Sequence, residues 1–128
     1  MDLPKNLKTF NFDATGDTTG QEYKGQFTVK CTLTILEKRL LETEKSQMRA
    51  DFANPTPNLI AYATILSNLR IRITDGPEWW KQSSGGDDLL DENVLTELFE
   101  KVMDQEFVWR DELKGKKDAS EGNLKEEK

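Results

Sequence analysis

The sequence predicts an α+β fold: an N-terminal antiparallel β-hairpin packed against about three α-helices, with a disordered charged C-terminal tail. Three observations predict it. From Tyr23 to Ile35 apolar and polar residues alternate, which gives a strand one apolar and one polar face. After Thr34 the apolar spacing becomes that of helices. Turn-forming stretches at Gly16–Gly20, Asn54–Pro57 and Asp75–Pro77 separate the periodic segments.

The first element is a short strand over Thr9–Asp13, with Phe10 and Phe12 on one face. The second carries Tyr23, Gly25, Phe27, Val29, Cys31, Leu33 and Ile35 on one face against lysines, glutamine and threonines on the other. An isolated hairpin is marginal in water, so this one needs helices on its apolar face. Thr34-Ile35-Leu36-Glu37 fits a capping box, in which a hydroxyl and a carboxylate satisfy free N–H groups at a helix start. A helix from Ile35 to Phe52 follows. Its apolar stripe is partial, and Glu42–Arg49 is nearly all polar, so this helix projects from the body.

Thr56-Pro57 starts the next helix, with a capping hydroxyl and proline at the first turn. Tyr62, Ile65, Leu66, Leu69 and Ile73 mark one face, and Asp75-Gly76-Pro77 ends it. The third helix begins after Asp91. Val94, Leu95, Leu98, Phe99, Val102 and Met103 form its stripe, which Phe107 extends. Residues 1–114 therefore read as a single α+β domain. From Gly115 the chain has almost no large apolar side chain, too little to offset the entropy of ordering, so 115–128 reads as a disordered charged tail. The core is expected at Phe27, Val29, Leu33, Leu66, Leu69, Leu98 and Val102.

Composition narrows the function. Eighteen basic against 24 acidic residues give a net charge of −6. The tail is balanced, so the folded body is acidic, which disfavours nucleic acid and anionic membrane surfaces. The first residues lack the apolar stretch of a secretory signal, and no apolar run is long enough to span a bilayer. Histidine is absent, which removes the commonest general base and metal ligand. The lone Cys31 lies on an apolar strand face and reads as a small buried hydrophobe. No phosphate-binding glycine loop is present. Asp87, Asp88, Asp91 and Glu92 lack the spacing of a calcium loop, and Glu97, Glu100, Asp104 and Glu106 read as a solvated helix face. No catalytic residue, cofactor site or metal site is assigned.

One feature points to a partner. Trp79 and Trp80 sit together on the connector Asp75–Trp80. They either cap the core beneath the loop or supply a binding anchor, because tryptophan is enriched at interface hot spots. On an extended connector neighbouring side chains point in opposite directions. One ring is then expected in the core and the other accessible as the partner-binding residue.

The strand Tyr23–Val29, the charged helix through Leu40-Leu41, the apolar helix Ala61–Ile73, Gly76-Pro77-Glu78-Trp79-Trp80 and Asp91–Leu95 together resemble the small tail-assembly chaperones of long-tailed bacteriophages. The resemblance spans Gln21–Arg110. It implies a non-catalytic, self-associating protein of the host cell cytoplasm. Such a protein binds the tape-measure protein and keeps it soluble while the tail tube polymerises, with the tail-tube protein as a second candidate partner. The prominent hairpin departs from the mostly helical family. It leaves open a structural virion subunit (head, connector or tail component) that acts through subunit contacts. An acidic DNA mimic and an enzyme are weaker readings on charge and motif content.

Overall fold

The computed structural model describes residues 3–126, with side chains as far as Lys116. The expected α+β class is observed. Strand β1 (Leu7–Thr15) is longer than the expected Thr9–Asp13, while β2 (Glu22–Lys30) stops short of the alternation through Ile35, which is exposed; the two form the hairpin and pair without a break from Leu7↔Lys30 to Thr15↔Glu22. Helix α1 spans Ile35–Ala50 and α2 spans Pro57–Arg72. A third strand, β3 (Ile73–Asp75), adds to β2 antiparallel, giving the order β1-β2-β3. A single helical turn, α3 (Glu78–Lys81), precedes α4, which runs from Glu92 to Glu126. Among the described residues no helix is long and apolar enough to cross a membrane.

The caps form where the sequence places them. Glu37 N–H donates to Thr34 Oγ1 at 3.1 Å, and Thr34 N–H donates back to Glu37 Oε1 at 2.9 Å. Lys30 Nζ also pairs with Glu37, tying the end of β2 to α1, and this contact holds the Glu37 carboxyl below the usual range. Thr56 Oγ1 accepts from Leu59 N–H at 3.2 Å at the start of α2.

The inner face of the sheet carries Phe10, Phe12, Ala14, Tyr23, Phe27 and Val29, covered by Leu69 of α2, Trp79 and Trp80 of α3, and Val94, Leu95, Leu98 and Val102 of α4. Of the expected core, all but Leu66 are buried, and Leu66 is half-buried. Cys31 is fully buried, and burial pushes its thiol up. Helix α1 packs chiefly on α2 and buries only Leu41.

Five expectations are corrected. The first helix ends at Ala50, two residues before Phe52. The second ends at Arg72, because Ile73 turns extended and donates its N–H to Leu69 O. The β-branched pair Ile73-Thr74 then joins the sheet, a strand too short to leave a periodic signal. Trp79 and Trp80 lie on a helical turn, not an extended connector. Phe107 is 75 % exposed. At 3.6 residues per turn it lies about 140° around the helix from Val102. Trp109 falls in the stripe instead and donates Nε1–H to Lys5 O at 2.7 Å. Finally, the backbone of α4 stays helical past Gly115 to Glu126, where the sequence predicted disorder. The lysines, glutamates and alanine of that stretch are good helix formers despite Gly115. The expected tail at 127–128 lies outside the described residues.

Candidate partner-binding surface

Trp79 and Trp80 both pack on the core. Their ring centres lie 5.6 Å and 6.2 Å from that of Phe27. Trp80 is buried. Trp79 is half-buried, edge-on to Tyr23 at 5.1 Å, and its Nε1–H donates to Lys24 O at 3.0 Å. One helical turn directs the two indoles about 100° apart, so a curved sheet and its loops can hold both. The pair clamps the connector onto β2.

The acidic cluster is dispersed into separate duties. Asp91 is fully buried at the start of α4 and faces the hairpin loop. Its carboxylate accepts from Thr18 N–H (2.8 Å), Thr19 N–H (2.9 Å), Thr19 Oγ1 (2.6 Å) and Tyr23 OH (2.7 Å). The Thr19 and Tyr23 hydroxyls lead in holding it from the usual 3.8 down to about 2, against the opposing effect of burial. The same bond pushes the Tyr23 phenol up. A side chain at Gly16 would place its Cβ 2.1 Å from the Asp91 carboxyl carbon, so the loop needs glycine there. Asp87 pairs with Arg70 at 2.6 Å, and Asp88 accepts from Ser84 Oγ at 2.7 Å. Among the described residues no three His, Cys, Asp or Glu side chains stand together to hold a metal ion.

Exposed apolar side chains occur on β1 and α4, at Leu7, Phe107 and Val108, and in greater number on the side of α1, α2 and the 83–90 loop. Two adjoining cavities of about 310 Å³ and 400 Å³ share Tyr62, Leu66 and Asp87 and so form one groove. Phe52 and Leu59 line one end, Leu89 and Leu90 the other. Phe52 is 54 % and Leu90 74 % exposed. Gly85 and Gly86 have φ of +68° and +99°, and a Cβ on Gly86 would meet Leu66 Cδ2 at 2.8 Å. Glycine therefore lets the loop lie flat on α2, where Arg70 Nε–H donates to Gly85 O at 3.1 Å. The buried Trp80 ring supports Gly86 from beneath.

Acids rim the groove: Asp51, Asp87 and Glu92. Among the described residues its one cation, Arg70, is shared between Asp87 and Glu44, the latter at 3.2 Å. The Glu92 carboxylate, then burial, push the Tyr62 phenol up. Farther along α1, Ile35, Leu36 and Leu40 are also exposed. Sequence reasoning found the two tryptophans but missed this groove. Its walls come from three segments that only the fold brings together. The available sign was Gly85-Gly86 beside apolar Leu89-Leu90.

No protein-family model, curated protein sequence or solved structure matches the chain.

Proposed function

We propose that this chain is a non-catalytic assembly chaperone that holds an amphipathic helical client, the role of the phage tail-assembly chaperones its sequence resembles. The groove between α2, the α1–α2 bend and the 83–90 loop, with its apolar walls and equally extensive polar rim, carries this reading. A groove walled by Phe52, Leu59, Leu66 and Leu90 suits apolar side chains at helical spacing. Its acidic rim suits a client whose apolar face is flanked by lysine or arginine. The net charge of −6 keeps a chaperone with exposed apolar surface soluble. The tape-measure protein, long and helical, is the client this chemistry fits, with the tail-tube protein second and the host cell cytoplasm as the setting. In this reading Trp79 and Trp80 serve binding from beneath, by fixing the loop.

The test is co-production with the tape-measure protein. The wild-type chain should keep the client in the soluble fraction. The variant Phe52→Ser/Leu90→Ser, altered only at exposed positions, should leave it aggregated. Equal client solubility with both would overturn the assignment of the groove. Purified particles should lack the chain; its retention there would favour a structural virion subunit.

A further inference from the structure

We propose that the open edge of β1 docks a second copy of this chain, antiparallel, about a two-fold axis at Phe10. β1 and β2 pair without a break, and Cys31 N–H donates to Asn6 O while Gly16 N–H donates to Gln21 O. Backbone bonding alternates along an antiparallel pair. The even residues Lys8, Phe10, Phe12 and Ala14 therefore bond to β2. The odd residues Leu7, Thr9, Asn11, Asp13 and Thr15 turn their N–H and C=O groups outward.

Both ends of this outer edge are occupied. Asn93 Nδ2 donates to Thr15 O at 2.9 Å, and Trp109 Nε1 donates to Lys5 O at 2.7 Å. Between them Leu7, Thr9, Asn11 and Asp13 are exposed, and among the described residues nothing bonds to their outward backbone groups. Natural edges are blunted by proline, bulges, charged side chains or brevity, and here the charges are Asp13 near one end and Lys8, which is engaged by Glu112. This stretch has no proline and no bulge. The opposite edge, β3, is only three residues long and runs into Gly76-Pro77.

The free stretch fits itself. With the axis at Phe10, Leu7 meets Asp13 of the second copy and Thr9 meets Asn11. All four outward N–H and all four outward C=O groups of each strand then find partners, and the pairing stops at the side-chain caps. Phe10 faces its own counterpart at the close, non-hydrogen-bonded position. No like charges stand opposite, and Asp13 lies diagonal to Lys5 of the second copy. Two three-stranded sheets would join into one of six strands.

Asn11→Pro tests this. The Asn11 N–H points outward, so proline there spares the β2 ladder. It removes two symmetry-related bonds from the pair, which weakens dimerisation about thirtyfold. Asn11→Lys, which leaves the backbone unconstrained, sets two like charges diagonally across the axis and should also weaken it. Sedimentation of the full chain reads the affinity. Amide exchange on the same chain at low and high concentration reads the surface. The amides of Leu7, Thr9, Asn11 and Asp13 should slow as concentration rises, while those of Lys8, Phe10, Phe12 and Ala14 are protected throughout. Fast exchange at the odd positions at every concentration would overturn the proposal. So would a dimer that survives both variants, or odd-position protection that appears only when a client is added.

Discussion

The hairpin–α4 half and the α1–α2 half of this protein are built on opposite terms. In the first, Phe27, Val29, Val94, Leu98 and Val102 are completely buried, and the hairpin loop is latched to the start of α4 through the Asp91 carboxylate and the Asn93 amide. In the second, α1 buries one large side chain, Leu41, and leaves Ile35, Leu36 and Leu40 exposed. The contrast separates stability from recognition of the client. Apolar area removed from water on folding holds the first half together. Apolar area left in water on the second is available to a partner. Helix α2 joins the two: Leu69 faces the core, while Tyr62 and Leu66 line the groove.

Substitutions in the two halves should differ accordingly. The largest effect is expected at Trp80. Trp80→Ala should lower unfolding free energy by about 3–5 kcal/mol, as for other buried aromatic truncations, and Trp79→Ala should lower it less. Denaturant unfolding reads both, and equal losses would blur the distinction between the two rings.

The latch comes next, through pH. The Asp91 carboxyl is depressed on folding from the usual 3.8 to about 2. Its contribution is therefore complete above the unfolded value and fades as pH falls through that window. Asp91→Asn should flatten the acid side of the stability curve between about pH 4 and 2. An unchanged acid limb would show that the loop is held by other groups.

Smaller still is the effect of Leu36→Ser/Leu40→Ser on the exposed face of α1. Stability should change by no more than about 0.5 kcal/mol per site. A loss several times larger would mean that α1 is integral to the core. Smallest is removal of residues 117–128, which should leave the unfolding midpoint nearly unchanged, since the sheet is covered by α4 before that point.

Much of the fold was legible because its signals are local. Alternation from Tyr23 marked β2, the Thr34–Glu37 and Thr56-Pro57 caps marked α1 and α2, and the Val94–Val102 spacing marked α4. What escaped depends on distant partners. Ile73-Thr74 becomes a strand only because β2 is there to receive it. Arg70 and Arg72 carry no local signal of a structural duty. In the structure Arg72 is buried and donates to Cys31 O at 2.8 Å, while Arg70 organises the groove loop. Asp91 marked only where the third helix begins and proved to be an anchor of a loop more than seventy residues away in sequence. The tryptophans were noticed for their size, but size could not show that both rings meet Phe27.

The central claim, that the groove on α1, α2 and the 83–90 loop holds the client while the sheet core does not, is tested most directly by titrating the isotope-labelled chain with amphipathic helical peptides from the tape-measure protein. Backbone resonances at Phe52, Tyr62, Leu66 and Leu90 should shift together, with those of β1, β2 and Val94–Val102 little changed. Shifts confined to the sheet or to Trp79 and Trp80, with the groove silent, would contradict it.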